Sequence, residues 1–281
     1  MSVVNTNTSA SISQAAIHKN ERELSKTMEQ LSTGSKINSA ADDAAGLAMA
    51  AKFTSQIKGL DMAVKNANDG ISMISTAEGA LNEVVNMLQR MRELAVQSSN
   101  GTMTGDDRTY MDKEYQQLDE EIDRIEKNTQ WNSTNVLDGT VGSSGTVTFQ
   151  VSASFTAGSG STASNDVIQV DFGNLANDTA SLGDVTDIDK ANTAIGALDT
   201  AIKAVNEQRA TFGAASNRLE HAVDNMTNIR VNAEASRSRI EDTDYAEATA
   251  ELAKAQIIQQ AATAMLAQAN QLPQNVLSLL K

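Results

Sequence analysis

Residues 74–95 read ISTAEGALNEVVNMLQRMRELA, and their apolar positions recur at alternating intervals of three and four. That spacing places one apolar stripe along a helix and is typical of helices that pack on other helices. The same spacing returns over residues 111–125 and 195–226. A Gly-containing segment, residues 98–107, separates the first two stretches and is long enough to reverse the chain. The pattern therefore predicts a mainly α fold, a long antiparallel bundle of three or more helices.

The pattern changes between residues 141 and 190. The segments TVTFQVSASF and NDVIQVDF alternate apolar and polar residues, as half-buried strands do. The segment TAGSGSTASN between them is rich in Gly and Ser and is expected to form a turn. We predict a small inserted β-hairpin, with one face formed by Val147, Phe149, Val151, Ile168, Val170 and Phe172.

The two chain ends carry further apolar stripes, which we predict to pair as coiled-coil helices. No charged residue occurs from residue 255 to residue 280, and an unbroken stripe there includes Ala262 and Ala269. This surface is wider than a two-helix seam requires, so we expect it to contact neighbours on more than one side. The candidate assembly residues are Ile17, Leu24, Met28, Leu31, Ile258, Met265, Leu272, Val276, Leu279 and Leu280.

Composition argues against several classes of protein. The net charge is −14 with no basic patch, which disfavours nucleic-acid binding. Eight Asn and Gln residues interrupt the uncharged C-terminal stretch, so we expect no membrane span. The chain has no Cys, its two histidines lie in helical patterns, and the common metal, phosphate-loop and dinucleotide motifs are absent. We therefore predict no enzymatic activity, no cofactor and no metal site, and we expect Asp42 and Asp43 to form a turn or helix cap.

One helix face between residues 88 and 97 allows two interpretations. Leu88 and Met91 belong to the predicted core stripe, so Gln89, Arg90 and Gln97 point elsewhere. Such a face is ordinarily solvated. Arg is nonetheless well suited to protein interfaces through its planar donors and its apolar stem, so an interface remains the alternative.

Four stretches match a known family in order and position. They are LSTGSKINSAADDAAGLA (31–48), LQRMRELAVQ (88–97), NTQWNSTNVLDG (128–139) and QANQLPQNVLSLLK (268–281). In these stretches the chain resembles bacterial flagellin, and the resemblance covers about residues 1–140 and 190–281. It departs from the family at Trp131, where a Phe is usual, which affects only the detail of a turn.

The resemblance implies a structural subunit that polymerises into the helical flagellar filament used for swimming. It also implies a minimal form without large outer domains, because little chain separates the two matching regions. The implied domains are a helix of the inner tube at each end, a helical bundle contributed by two segments, and a short β-hairpin insertion. Their boundaries are 1–42, 43–140, 141–190, 191–241 and 242–281.

The resemblance further implies where the chain acts and what it meets. Flagellins leave the cell through the flagellar type III export channel without a cleavable signal peptide, and the filament is extracellular. The implied partners are identical subunits, an export chaperone, the filament cap and the hook–filament junction proteins. Free monomer is expected to meet a vertebrate innate immune receptor through Gln89, Arg90, Leu94 and Gln97, with Glu114 on the neighbouring helix.

Two other functions fit parts of the sequence. A hook–filament junction protein has similar terminal helices but joins two axial segments and forms no long filament. A secreted coiled-coil effector or translocator would bind lipid, which the amides of the C-terminal stretch disfavour. An enzyme ranks last, because no set of residues suggests a catalytic site.

Overall fold

The computed structural model describes residues 6–153, 166–174, 179 and 182–278, with side chains described to residue 271. Five helices are described: α1 (Thr8–Thr33), α2 (Ala44–Ser98), α3 (Gly105–Asn128), α4 (Ile188–Glu241) and α5 (Tyr245–Ser278). The chain forms two compact units. We call Met1–Ser55 with Asn232–Lys281 the terminal unit, and Gln56–Val231 the central unit.

The central unit is the predicted helical bundle. Arg92 and Asp199 lie 2.7 Å apart, and Asp61 lies 2.8 Å from Arg230, so α2 and α4 run antiparallel. Helix α3 packs on the same core through Tyr115, whose hydroxyl donates a 2.6 Å hydrogen bond to the carbonyl of Leu182. Desolvation by burial raises the pKa of Tyr115, and the negative charge of Asp119 adds to the increase. The mainly α prediction is confirmed.

The predicted hairpin is present and has the predicted faces. Strands β3 (Thr146–Gln150) and β4 (Val167–Asp171) pair antiparallel. Val147 lies opposite Val170 and Phe149 opposite Ile168, and the last three of these residues are buried. The segment predicted as their turn, residues 156–165, lies outside the described residues.

A second, smaller hairpin was not predicted. Strands β1 (Gln130–Trp131) and β2 (Thr134–Asn135) pair across a two-residue turn. Its central residues, Asn132 and Ser133, have φ values of 48° and 64°. Positive φ at both positions is the geometry that lets a two-residue turn follow the twist of the strands.

Glu126 is a buried carboxylate at the end of α3. It is 3% exposed, and its Oε2 atom makes no hydrogen bond within the described part of the chain. Burial raises its pKa above the ordinary value of 4.5, and Asp123 adds to the effect. At pH values between 4.5, the ordinary pKa that applies to the unfolded chain, and the higher pKa of the folded chain, the folded chain binds more protons than the unfolded chain. The contribution of Glu126 to stability is therefore lost as pH rises through that window.

Glu126→Gln should raise the free energy of unfolding at pH 7 by about 1 kcal/mol, because a buried amide neither carries a charge nor has to bind a proton to become neutral. The gain should shrink as pH falls toward 4.5, where Glu126 is protonated. Denaturant unfolding at both pH values, followed by fluorescence of the single Trp, measures it. Exposed Glu120 on the same helix provides the control through Glu120→Gln. An equal effect of Glu126→Gln at both pH values would contradict the explanation.

The terminal unit is built on α1 and α5. Asn20 Nδ2 lies 2.8 Å from the carbonyl of Ala255, and Asn7 Nδ2 lies 2.9 Å from that of Ala269, so the two helices run antiparallel. Pairing of the two chain ends is as predicted. Two backbone hydrogen bonds, from the Lys36 N–H to the Glu241 carbonyl and from the Thr243 N–H to the Gly34 carbonyl, join the chain after α1 to the chain before α5.

Candidate assembly surface

The seam between α1 and α5 is lined by small side chains. Ala248, Ala255 and Ala269 are 4–6% exposed, while Leu252, Gln259, Ala262 and Leu266 are half-buried. The facing positions of α1 are Ile17, Asn20 and Thr27, all buried, with half-buried Leu24 between the last two and half-buried Leu31 after them. Small residues let two helix backbones approach closely. The contact therefore leaves the bulkier residues of α5 on its other side.

Several of those bulkier residues are exposed. Ile257 is 66% exposed, Ile258 42% and Met265 63%, and on α1 Ile12 is 71% and Met28 55% exposed. Residues 258 and 265, seven apart, differ in direction by about 20°, and residue 257 lies about 100° from residue 258, so the three share one broad face of α5. Exposed apolar faces of this kind are typical of surfaces that contact other molecules.

Six of the ten predicted assembly residues have described side chains, and these divide between the two surfaces. Ile17 is buried, and Leu24 and Leu31 are half-buried in the seam within one chain. Met28, Ile258 and Met265 are exposed. Leu272 and Val276 belong to α5 by their backbone, and Leu279 and Leu280 lie outside the described residues.

Three residues of this unit escaped the sequence analysis. Asn7, Asn20 and Gln259 make polar contacts between α1 and α5. Exposed Ile12 was also not selected. The polar residues gave no signal in an apolar pattern search, although an Asn at a seam position is a recognised register signal in coiled coils.

Asp42 and Asp43 have the turn and capping roles predicted for them. Asp43 Oδ1 accepts hydrogen bonds from the backbone of Ala45 and Gly46, at the start of α2. Asp42 lies 3.0 Å from Lys26, and its hydrogen bonds to Lys26 and then Ser39 lower its pKa to about 2. Both carboxylates are thus occupied locally.

The face of α2 singled out by the sequence is held by ion pairs. Arg90 Nε donates to Glu114 Oε1 at 2.9 Å, and Arg90 Nη1 donates to Glu93 Oε2 at 3.0 Å. These hydrogen bonds, to Glu93 first, raise the pKa of Arg90. Arg90, Glu114 and the neighbouring Gln89 and Gln97 are exposed.

Leu94 differs from the other residues of this face. It is 3% exposed and packs in the central core, so the surface of a single chain presents little of it.

Among the residues whose structure is described, no helix is long and apolar enough to cross a membrane. Within the same ranges, no group of acidic, His or Cys side chains is arranged to hold a metal ion.

Comparison with known proteins gives a consistent result. The family profile of the bacterial flagellin N-terminal helical region matches residues 4–141, and that of the C-terminal helical region matches residues 195–280. A flagellin of Halalkalibacterium halodurans is 50% identical over 256 residues, which cover 91% of each chain. The flagellar filament 33 kDa core protein of Treponema phagedenis is 42% identical over 285 residues, covering 99% of this chain and 100% of that protein.

A solved structure agrees in fold. The crystal structure of Bacillus cereus flagellin matches with a TM-score of 0.50 and 37% identity, covering 58% of this chain and 88% of that one. Both matching profiles fall on the helices that build the terminal and central units. The chain therefore belongs to the bacterial flagellin family, whose members are structural subunits of the flagellar filament and not enzymes.

Proposed function

We propose that subunits polymerise into the extracellular filament through the exposed apolar residues of the terminal unit. The observation that carries this proposal is the exposure of Ile257, Ile258 and Met265 on a helix without charge from residue 255 to residue 280. Burying such side chains contributes about 1.5–3 kcal/mol each. Neighbours on more than one side give contacts that do not close on themselves, and such contacts extend into a fibre.

Within the filament, the segments that we assign to the inner tube lie inside the terminal unit, which itself extends further, to Ser55 and from Asn232. We assign residues 1–42 and 242–281 to the inner tube, and 43–140 with 191–241 to the helical layer around it. Residues 141–190 form the insertion that faces outward. Before export the same apolar face of α5 needs a cover in the cytoplasm, which is the role we assign to an export chaperone. Export through the type III channel and insertion under a cap protein complete the pathway.

Seeded growth tests this function. Purified chain is added to short fragments of its own filaments, and length is followed by negative-stain electron microscopy. We expect long filaments. Growth that stops after a short segment would instead identify a hook–filament junction protein. Failure to grow, together with co-sedimentation with lipid vesicles, would favour a translocator.

A second function is favoured by the α2 face: recognition of free monomer by the vertebrate innate immune receptor for flagellin. Arg90 is held in an extended, exposed position by Glu93 and Glu114, between exposed Gln89 and Gln97. A planar Arg presented in this way is a typical anchor of protein interfaces. Leu94 would then support the face from the core rather than contribute a large contact.

Arg90→Ala should raise the monomer concentration needed for half-maximal receptor signalling by about tenfold or more, as loss of an interface anchor does. The matched control is Arg92→Ala on the same helix. Arg92 is similarly exposed and pairs with Asp199 at 2.7 Å. Exposed ion pairs contribute under about 1 kcal/mol, so both variants should stay folded.

Leu94→Ala is unsuitable for this purpose. Removing a buried Leu costs about 2–5 kcal/mol of stability, so a loss of signalling would have two explanations. Full signalling by Arg90→Ala monomer, or an equal loss in Arg92→Ala, would end the receptor proposal.

A further inference from the structure

The apolar seam of the terminal unit specifies its own register weakly. Seven residues correspond to about 10 Å along a helix. A shift of α5 by that amount would again bring a small residue opposite each polar position of α1. The repeats responsible are Ala248, Ala255, Ala262 and Ala269 on α5, and Ile17, Leu24 and Leu31 on α1.

A buried amide pair breaks this repeat. Asn20 is 8% exposed, and its Nδ2 donates both to the carbonyl of Ala255 at 2.8 Å and to Gln259 Oε1 at 2.9 Å. The positions seven residues before and after Gln259 are Leu252 and Leu266. A shifted α5 would therefore place a Leu beside Asn20 and leave the buried amide short of an acceptor.

The second polar contact, between Asn7 and the carbonyl of Ala269, also has no counterpart in a shifted register. Pro273, the single proline of the chain, has no N–H to donate to the carbonyl of Ala269 four residues earlier. Asn7 Nδ2 supplies the missing donor at 2.9 Å, while Asn7 Oδ1 accepts from the backbone of Ala10 and caps α1. The described helix α5 continues through Pro273, so the proline does not end it.

We propose that these two contacts, Asn20 with Gln259 and Asn7 with the Ala269 carbonyl, fix the register of α1 against α5. Each discriminates against shifts that the seven-residue repeat of Ala would tolerate. Buried Asn residues specify register in other coiled coils in the same way, at some cost in stability. The consequence for assembly rests on the proposed function: the fixed register would set which exposed apolar residues of α1 and α5 lie side by side for a neighbouring subunit.

Disulfide trapping can measure the register of α1 against α5. Because the chain has no native Cys, only the introduced pairs can form disulfides. Thr27 and Ala248 lie seven residues from Asn20 and Ala255 in opposite directions along their helices, and both are buried. The in-register pair is Thr27→Cys with Ala248→Cys. The shifted pair is Thr27→Cys with Ala255→Cys. Both pairs are oxidised in the full-length chain, soluble and in filaments, and monomer-sized products on non-reducing gels identify intrachain bonds.

With native Asn7, Asn20 and Gln259, only the in-register pair should close, because Cα atoms more than about 7 Å apart are not bridged. The variant Asn20→Leu with Gln259→Leu keeps the seam apolar and removes the polar pair. In that background the shifted disulfide should increase on the order of tenfold, as expected when the hydrogen bond between Asn20 and Gln259 no longer favours one register.

A second variant covers the case in which the Leu substitutions prevent folding. Asn7→Asp with Pro273→Ala removes the Nδ2 donor, keeps a side-chain acceptor for the Ala10 N–H at the cap of α1, and restores the helical donor to Ala269. It should also increase the shifted disulfide. If neither variant changes the ratio of the two disulfides, or if both pairs already close equally in the native background, the proposal is overturned.

Filament growth is scored separately from trapping. If the chain without introduced Cys fails to grow from seeds, the proposed function is lost, whereas the intrachain disulfides of the double-Cys variants still report the register of α1 and α5. Conversely, if filaments grow but both Cys pairs close equally, the proposed function stands and the proposal that the two contacts fix the register is overturned.

Discussion

Deletion of residues 255–281 should abolish filament growth while leaving the central unit folded. The deletion removes Ile257, Ile258 and Met265, which are 42–66% exposed in a single chain. Burial of a fully exposed side chain of this size contributes about 1.5–3 kcal/mol, and these three are about half exposed, so their burial between subunits stabilises assembly by roughly 3–5 kcal/mol. Since 1.4 kcal/mol is a factor of ten, the loss amounts to about a hundredfold to a few thousandfold in the association constant. The deletion also leaves α1 without its partner helix.

The central unit provides the internal control. It spans Gln56–Val231 and contains none of the deleted residues. Trp131, the single Trp, packs against its core, so Trp fluorescence reports on this unit alone. We expect the same unfolding midpoint in the deleted and complete chains, and no pelletable polymer from the deleted chain. Filaments grown by the deleted chain would refute the assigned assembly surface.

A single substitution tests whether filament growth depends on the exposed apolar face of α5. Met265→Gln on α5 should slow seeded growth clearly, because Met265 is 63% exposed on the apolar face of the terminal unit. Met62→Gln is the matched control: the same change at a residue 54% exposed, but in the central unit. Equal effects of both variants would show that exposed apolar area in general, not the terminal face, determines growth.

The hairpin shows which features the sequence predicts well. Alternation of apolar and polar residues assigns every residue of a strand to one of two faces, and Phe149 and Ile168 are buried opposite each other as the alternation predicts. The smaller hairpin escaped because it has two-residue strands, and its turn uses Asn132 and Ser133 at positive φ instead of a Gly. Neither feature gives a periodic signal.

Helix α5 shows a limit of the same reasoning. Its apolar residues form two stripes, and spacing alone does not say which stripe faces the same chain. The predicted stripe combined Ala262 and Ala269 of the inner seam with Ile258 and Met265 of the exposed face. Side-chain size separates them, since α1 takes the Ala-rich stripe, along which the two helices can approach most closely.

Helix α2 shows the opposite difficulty, a stripe wider than one seam. The sequence indicates Leu88, Met91 and Ala95 as core, and these are fully buried. Val85 and Leu94 are buried as well, because α3 and α4 both contribute to the core against which α2 packs. The burial of Leu94 could therefore be predicted only with knowledge of where two other helices lie.

Phe212→Ala should destabilise the central unit by about 3–5 kcal/mol, the usual cost of deleting a buried aromatic side chain. Phe212 on α4 is 0% exposed, and its ring centroid lies 5.1 Å from that of Phe172, which follows β4, at an angle of 53°. The pair therefore joins the hairpin to the bundle. Gln208, one turn earlier on α4, adds a 2.7 Å hydrogen bond to the carbonyl of Asp171.

The control is Val231→Ala on the same helix, where the side chain is 52% exposed and the expected cost is under about 1 kcal/mol. Denaturant unfolding followed by Trp131 fluorescence compares the two variants, and hydrogen exchange of β3 and β4 amides tests the coupling. If the Phe pair anchors the hairpin, exchange there should accelerate in Phe212→Ala even where the bundle stays folded. A cost as small as that of Val231→Ala, with unchanged exchange in the strands, would mean that the hairpin is held by its other contacts and not by Phe212.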